Sequence, residues 1–141
     1  MTIRITFNAK AMDNLDQLKG KNRLALKRAL HNIGRDVKRE VKRIIKTGTR
    51  TGKWYTYQGI PYQASKAGEP PANRSGKLAS SAYFRVHNWH TMEFGEHELY
   101  AKYLEYGTGK MKARPHMSVA IQNKRQSAVN EIYRELTKAN N

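Results

Sequence analysis

The sequence contains no cysteine and few acidic residues. Without a thiol there is no disulfide framework, no thiolate metal site and no cysteine nucleophile, and a reducing compartment is permitted. Long apolar runs are missing as well. The start, Met1-Thr2-Ile3-Arg4-Ile5-Thr6-Phe7, lacks the continuous apolar stretch of a secretory signal. Nothing approaches the roughly 18 apolar residues of a membrane span, so a soluble chain with no membrane partner is expected. Proline is scarce, and three of the four prolines fall between positions 47 and 76. There are no internal repeats.

Positive charge is what the sequence has in excess. The 141 residues carry 27 Lys or Arg against 11 Asp or Glu, a formal net charge of +16. That length suits a single domain, residues 1–141, around one core. A field of that sign draws polyanions, nucleic acid above all, or an acidic protein.

Periodicity gives the elements. Ile3, Ile5 and Phe7 alternate with Thr2, Arg4 and Thr6, the pattern of a half-buried strand. Asn8 to Lys19 reads as a turn and a short helix carrying Met12, Leu15 and Leu18, ended by Gly20. Leu26, Leu30, Ile33, Val37, Val41 and Ile44 recur at three- and four-residue steps, predicting a long helix from Asn22 to Lys46 that Thr47-Gly48 stops. The pattern then breaks over 47–76, where Gly48, Gly52, Gly59 and Gly68 accompany Trp54, Tyr55, Tyr57 and Tyr62. A loop of that length in a small domain is usually functional, and its aromatics supply anchoring area, so it reads as an arm that docks on a neighbouring subunit. Leu78–His87, Thr91–Glu96 and Leu99–Tyr106 read as short strands of a meander, with a turn at Asn88-Trp89. A last helix runs from Met117 to Lys138 with Ile121, Ala128, Ile132 and Leu136 on its inner face. These elements predict an α+β fold: an antiparallel sheet of about four strands packed against a long basic helix and a C-terminal amphipathic helix.

Catalytic signals are weak. Gly107-Thr108-Gly109-Lys110 resembles the end of a phosphate loop, but Leu104 and Met111 stand where that motif needs Gly and Ser or Thr. His87, His90 and His97 lie near Glu93 and Glu96, yet surface polar residues of a hairpin explain them more simply than a metal site. There is no Ser-His-Asp ordering and no acid pair that stands out. No catalytic residue, cofactor or metal is expected. The stronger signal is the segment from Lys21 to Lys46, with ten Lys or Arg against two acids and half of the whole excess. Arg28, Arg35, Arg39, Lys42 and Lys46 fall on one stripe opposite the apolar one, and Lys38 and Arg43 flank it. Such a stripe either is a solvated helix face or meets DNA phosphates without reading sequence.

Two further segments carry a family resemblance. The first is Ala64-Ser65-Lys66-Ala67-Gly68-Glu69-Pro70-Pro71-Ala72 followed by Ser75-Gly76-Lys77-Leu78. The second is Tyr100-Ala101-Lys102-Tyr103-Leu104-Glu105-Tyr106-Gly107-Thr108 followed by Met111-Lys112-Ala113-Arg114-Pro115. In this order, between a basic and an amphipathic helix, they resemble the HK97 gp10-like family of phage morphogenesis proteins. The resemblance spans about Asn22 to Leu136. It departs from the common pattern at Arg74-Ser75, where an acid and Thr are frequent, and at His116, where Phe is frequent.

The resemblance implies a non-enzymatic virion protein, a neck or tail-completion subunit in a homo-oligomeric ring (six copies is one option) around the DNA path. The implied partners are other neck and tail proteins, and DNA by non-specific phosphate contact. The implied location is the virion, after assembly in the host cytoplasm. The rival reading is a sequence-independent nucleic-acid-binding protein working through residues 21–46. A small nuclease is a weaker rival, because no metal-ready acidic cluster is present. The subunit-interface candidates are Trp54, Tyr55, Tyr57, Tyr62, Pro70, Pro71, Glu105 and Arg114. Glu105 and Arg114 are expected to pair, closing the Gly107–Ala113 loop or bridging two subunits.

Overall fold

The computed structural model describes residues 1–6 and 20–141. The expected turn and short helix at Asn8–Lys19, and Phe7 of the first strand, lie outside the described residues. The fold is α+β, as the periodicity predicts. Strand β1 (Thr2–Thr6) is followed by helix α1 (Gly20–Thr47), hairpin strands β2 (Trp54–Tyr57) and β3 (Ile60–Gln63), and the short helix α2 (Lys77–Ser81). Strands β4 (Ala82–Val86) and β5 (Thr91–Glu96), the short helix α3 (Ala101–Tyr106) and helix α4 (Met117–Asn140) complete the chain.

The main sheet is antiparallel in the order β1-β5-β4. Its register sets Ile3 beside Phe94 and Phe84, and Ile5 beside Met92 and Val86. Alternation then turns these apolar residues to one face, where they meet Leu30, Ile33, Val37 and Val41 of α1. On the opposite face Arg4 and Arg85 flank Glu93 of the central strand.

Glycine makes the closest helix–sheet approach. The Phe84 ring lies over Gly34 so tightly that a Cβ there would come within 2.3 Å of it. We therefore expect Gly34→Ala to cost about 1–3 kcal/mol by overpacking, read as an earlier urea midpoint at unchanged slope.

Helix α4 packs along the other side of α1, and the two run antiparallel. Asn22 bonds Asn140, Asn32 bonds Glu131, and Glu40 accepts from Asn123. Ile121, Ala128 and Ile132 pack against the core as expected, while Leu136 is half-buried.

Three expected elements differ. The meander ends at β5, because Leu99–Tyr106 contains a helix in place of a third strand. Ala101 and Glu105 are buried and Leu104 is half-buried, an i, i+3, i+4 spacing that only a helical turn directs inward. Leu78 and Ala79 belong to helix α2, so the strand expected from Leu78 begins at Ala82. The segment 47–76 is not irregular throughout, because it folds β2 and β3 into a separate two-stranded sheet. Gln58 and Gly59 close that hairpin with φ of 51° and 79°, the left-handed pair of a tight primed turn.

The base of the hairpin is anchored. Arg50 sends its guanidinium to the carbonyls of Ile45, Gly48 and Pro71, so that it caps the C-terminus of α1 and holds the returning strand. Glu69 accepts from Thr51 and from the Lys66 N–H, bonds that hold its carboxyl down at about 2. Arg50→Ala should cost about 1.5–3 kcal/mol, the range for hydrogen bonds to a charged group. Arg50→Lys should recover only part of that loss, because an ammonium cannot reproduce the fork. Urea unfolding of the two variants checks this.

Candidate functional site

Two surfaces and one buried junction collect the residues singled out in the sequence. The first surface is the basic face of α1. Arg28, Arg35, Arg39, Arg43 and Lys46 are exposed, and Lys38 and Lys42 are half-buried. Arg35, Lys38, Arg39 and Lys42 surround the Phe84 ring in a shallow groove of about 280 Å³. Not every cation there is equally available. Arg39 bonds Asp36, Arg35 bonds Asn32, and Arg43 forks onto both oxygens of Glu40 at 2.9 and 2.7 Å. That fork is the chief reason the Glu40 carboxyl sits down at about 2, so Glu40 stays ionised and answers part of the Arg43 charge. The stripe predicted from spacing is therefore strongest around Arg35, Lys38 and Lys42.

The junction joins the two motif segments. The Gly68 N–H donates to the Ala113 carbonyl at 2.9 Å, and the Arg114 guanidinium donates to the Ser65 carbonyl at 3.1 Å. The Arg114 N–H returns to Leu104, and Gly107, at a φ of 75°, turns the chain where a Cβ would come within 2.8 Å of Ala113. The expected Glu105–Arg114 pair does not form. Glu105 instead accepts the backbone N–H groups of His116, Met117 and Ser118 at 2.9, 3.0 and 2.9 Å. These are orphan donors of the first turn of α4, so Glu105 is the anionic cap of that helix from eleven residues upstream.

His116 completes the junction. It is fully buried, with Nε2 at 2.8 Å from Glu96 and Nδ1 at 3.2 Å from Glu105 and 3.1 Å from the Arg114 carbonyl. Burial alone would push its pKa down, but the bond to Glu96, the charges of both carboxylates and the carbonyl outweigh this and raise it. For Glu105 burial pushes upward, while the Ser118 and His116 bonds bring its pKa below the usual value. The result is a buried imidazole, its charged form favoured, bonded between Glu96 and Glu105 and tying β5, α3 and α4 together. Sequence spacing did not reveal it, because Glu96, Glu105 and His116 lie on three elements. The one signal was His116 itself, a polar residue where the family resemblance favours Phe.

The second surface is aromatic. Trp54 is 67% exposed, and Tyr55 and Ile60 accompany it on the hairpin. Leu99 and Tyr100, just before α3, and Tyr103 and Tyr106 on it are exposed as well, with Leu99 86% exposed. Between hairpin and body lies a groove of about 410 Å³ lined by Tyr57, Tyr62, Arg74, Tyr100, Leu104 and Arg114. Arg74 lies 4.3 Å over the Tyr57 ring. Of the interface candidates, Trp54 and Tyr55 are exposed, and Tyr57, Tyr62, Pro70 and Arg114 are half-buried. Pro71 and Glu105 are buried inside the fold. These two are corrected to internal residues, because one packs beneath the Arg50 strap and the other caps α4.

The three scattered histidines each have a local partner. His87 bonds Glu93 at 2.8 Å, His90 bonds the Thr91 hydroxyl at 2.9 Å, and His97 stacks on Tyr83. Among the described residues no group of three or more His, Asp or Glu could hold a metal ion, and no helix is long and apolar enough to cross a membrane. No family model, no curated protein and no solved structure matches the chain.

Proposed function

We propose that this chain is a non-enzymatic assembly subunit of a tailed-phage virion. In this reading it forms a ring at the neck or tail-completion position around the DNA path. The observation that carries the proposal is the junction of the two motif segments. Residues 64–72 and 100–115, which bear the family resemblance, bond to each other, and the second of them turns Tyr100, Tyr103 and Tyr106 outward. A structural knot with an unpartnered aromatic rim suits a part whose work is to be joined to its neighbours. The hairpin is the arm, and Trp54, Tyr55 and Ile60 are its anchoring side chains. The basic face of α1 points at phosphates, and its groove around Phe84 meets a duplex without reading bases.

The same groove also supports the rival reading, a DNA-binding protein that never enters a particle. Changing Arg35, Lys38 and Lys42 together to Gln tests the shared part of both. The salt dependence of duplex binding should flatten by about 0.9 in log–log slope per lost phosphate contact, about 2.7 in all. Stability should move by about 0.5 kcal/mol per site, because Arg35 is exposed, Lys38 and Lys42 are only half-buried, and none of the three pairs with a described carboxylate. An unchanged slope removes DNA contact from the account. Mass spectrometry of purified particles then separates the readings, since only the assembly subunit is incorporated.

A further inference from the structure

We propose that, unless salt screens their charge, copies of this chain join one another only where a phosphate polymer is bound, so that nucleic acid is a component of the assembly and not merely its cargo. The inference rests on the assembly reading above and concerns how that assembly is regulated.

The argument starts from the carboxylates. Asp36 holds Arg39, and Glu40 holds Arg43 and Asn123. Glu69 closes the strap at Thr51 and Lys66, and Glu93 sits among Arg4, Arg85 and His87. Glu96 and Glu105 enclose His116, while Glu131 and Glu135 hold Arg134 and Lys138. Among the described residues only the Glu98 side chain has no hydrogen bond or ion pair of its own. The cations are in the opposite position. Lys38, Lys42 and Lys46 on α1, Lys53 beside the hairpin, and Lys102 and Lys112 around α3 pair with none of the described carboxylates.

Both aromatic surfaces are rimmed by this surplus, Lys53 next to Trp54 and Lys102 next to Tyr103. A second copy docking aromatic face to aromatic face brings positive charge to positive charge. It has almost no described carboxylate left to answer it. With +16 on each subunit, the apolar gain of covering the aromatics is opposed over about a Debye length. A duplex carries one negative charge per roughly 1.7 Å and supplies the missing sign along the groove around Phe84. Phosphate oxygens also suit the fork of Arg35. Polyanion binding and self-association are then coupled, and each strengthens the other.

The test is the mass of the full chain by light scattering. The arms are the chain alone, with mixed-sequence duplex DNA, and with polyglutamate. All are run at about 0.05 M salt, and the chain alone is repeated at about 1 M, where exposed charges are screened within about 3 Å. We expect a monomer alone at low salt, a ring on the duplex, and a ring without DNA at high salt. The Arg35→Gln, Lys38→Gln, Lys42→Gln variant should fail to assemble on the duplex yet still assemble at high salt. A ring formed alone at low salt overturns the inference and leaves the assembly reading standing. Assembly on polyglutamate but not on DNA overturns it in favour of an acidic protein. A monomer in every arm overturns the assembly reading itself.

Discussion

Glu105→Ala should lose about 3–5 kcal/mol of stability, a large share of the roughly 5–15 kcal/mol a domain has, because it breaks a buried, hydrogen-bonded pair. The carboxylate accepts three backbone N–H groups at the start of α4 and faces the His116 ring. Alanine would orphan all three donors and leave the His116 ring against Glu96 alone. Glu105→Gln keeps an acceptor oxygen but not the charge, so it should fall between wild type and alanine. Urea unfolding followed by far-ultraviolet dichroism reads both. A loss under about 1 kcal/mol for alanine would mean that the cap is dispensable.

The same junction sets a pH profile. His116 titrates higher folded than its ordinary 6.5, so its contribution is complete below 6.5 and is lost as pH rises through the folded value. Glu105 titrates lower folded than its ordinary 4.5, so its contribution is complete above 4.5 and is lost as pH falls through the folded value. The junction is therefore strongest between 4.5 and 6.5. A His116→Phe variant should lose the alkaline limb of the urea-midpoint profile.

Removal of the hairpin should abolish assembly while sparing the fold. Lys53 and Ala64 already bond across its base, with Ala64 N–H donating to the Lys53 carbonyl at 2.9 Å. Residues 54–63 can therefore be replaced by an Asn-Gly turn. A longer deletion reaching Pro71 would not be equivalent, since Ser65 and Pro71 are buried and the strap is tied to α1 by Arg50. The short deletion should hold its stability to within about 0.5 kcal/mol. Self-association should be lost, and Trp54→Ala alone should weaken it by at least about 2 kcal/mol, roughly thirtyfold. An unfolded deletion would make the hairpin part of the core, and full assembly without it would end its role as the arm.

The long helices were legible because one-sided burial repeats every three or four residues, as at Leu26, Leu30, Ile33, Val37 and Val41. Strands β1 and β4 were legible from apolar residues alternating at a period of two, as at Ile3 and Ile5 and at Ala82, Phe84 and Val86. The hairpin escaped because both faces of Trp54–Tyr57 are wet, so no apolar alternation marks it. Helix α3 escaped because one turn is too short for a period to declare itself, although the three-residue spacing of Tyr100, Tyr103 and Tyr106 fitted it. At the site, spacing identified the α1 stripe but not which cations are answered within the helix. Arg43 and Lys42 are neighbours in sequence, yet only one has a carboxylate three residues back. The Glu105–Arg114 pairing failed for a physical reason. A buried carboxylate at a helix start finds three orphan N–H donors closer to hand than a guanidinium, and Arg114 is drawn to the Ser65 carbonyl instead.

The central claim is that this chain is built into the neck or tail-completion ring. It is tested most directly by electron microscopy of purified tailed particles carrying a tag on the exposed C-terminal residue Asn141. Density for the tag as a ring at the head–tail junction, with the hairpin of each copy seated on its neighbour, is the predicted result. Intact, infectious particles without the chain at that junction would contradict the account.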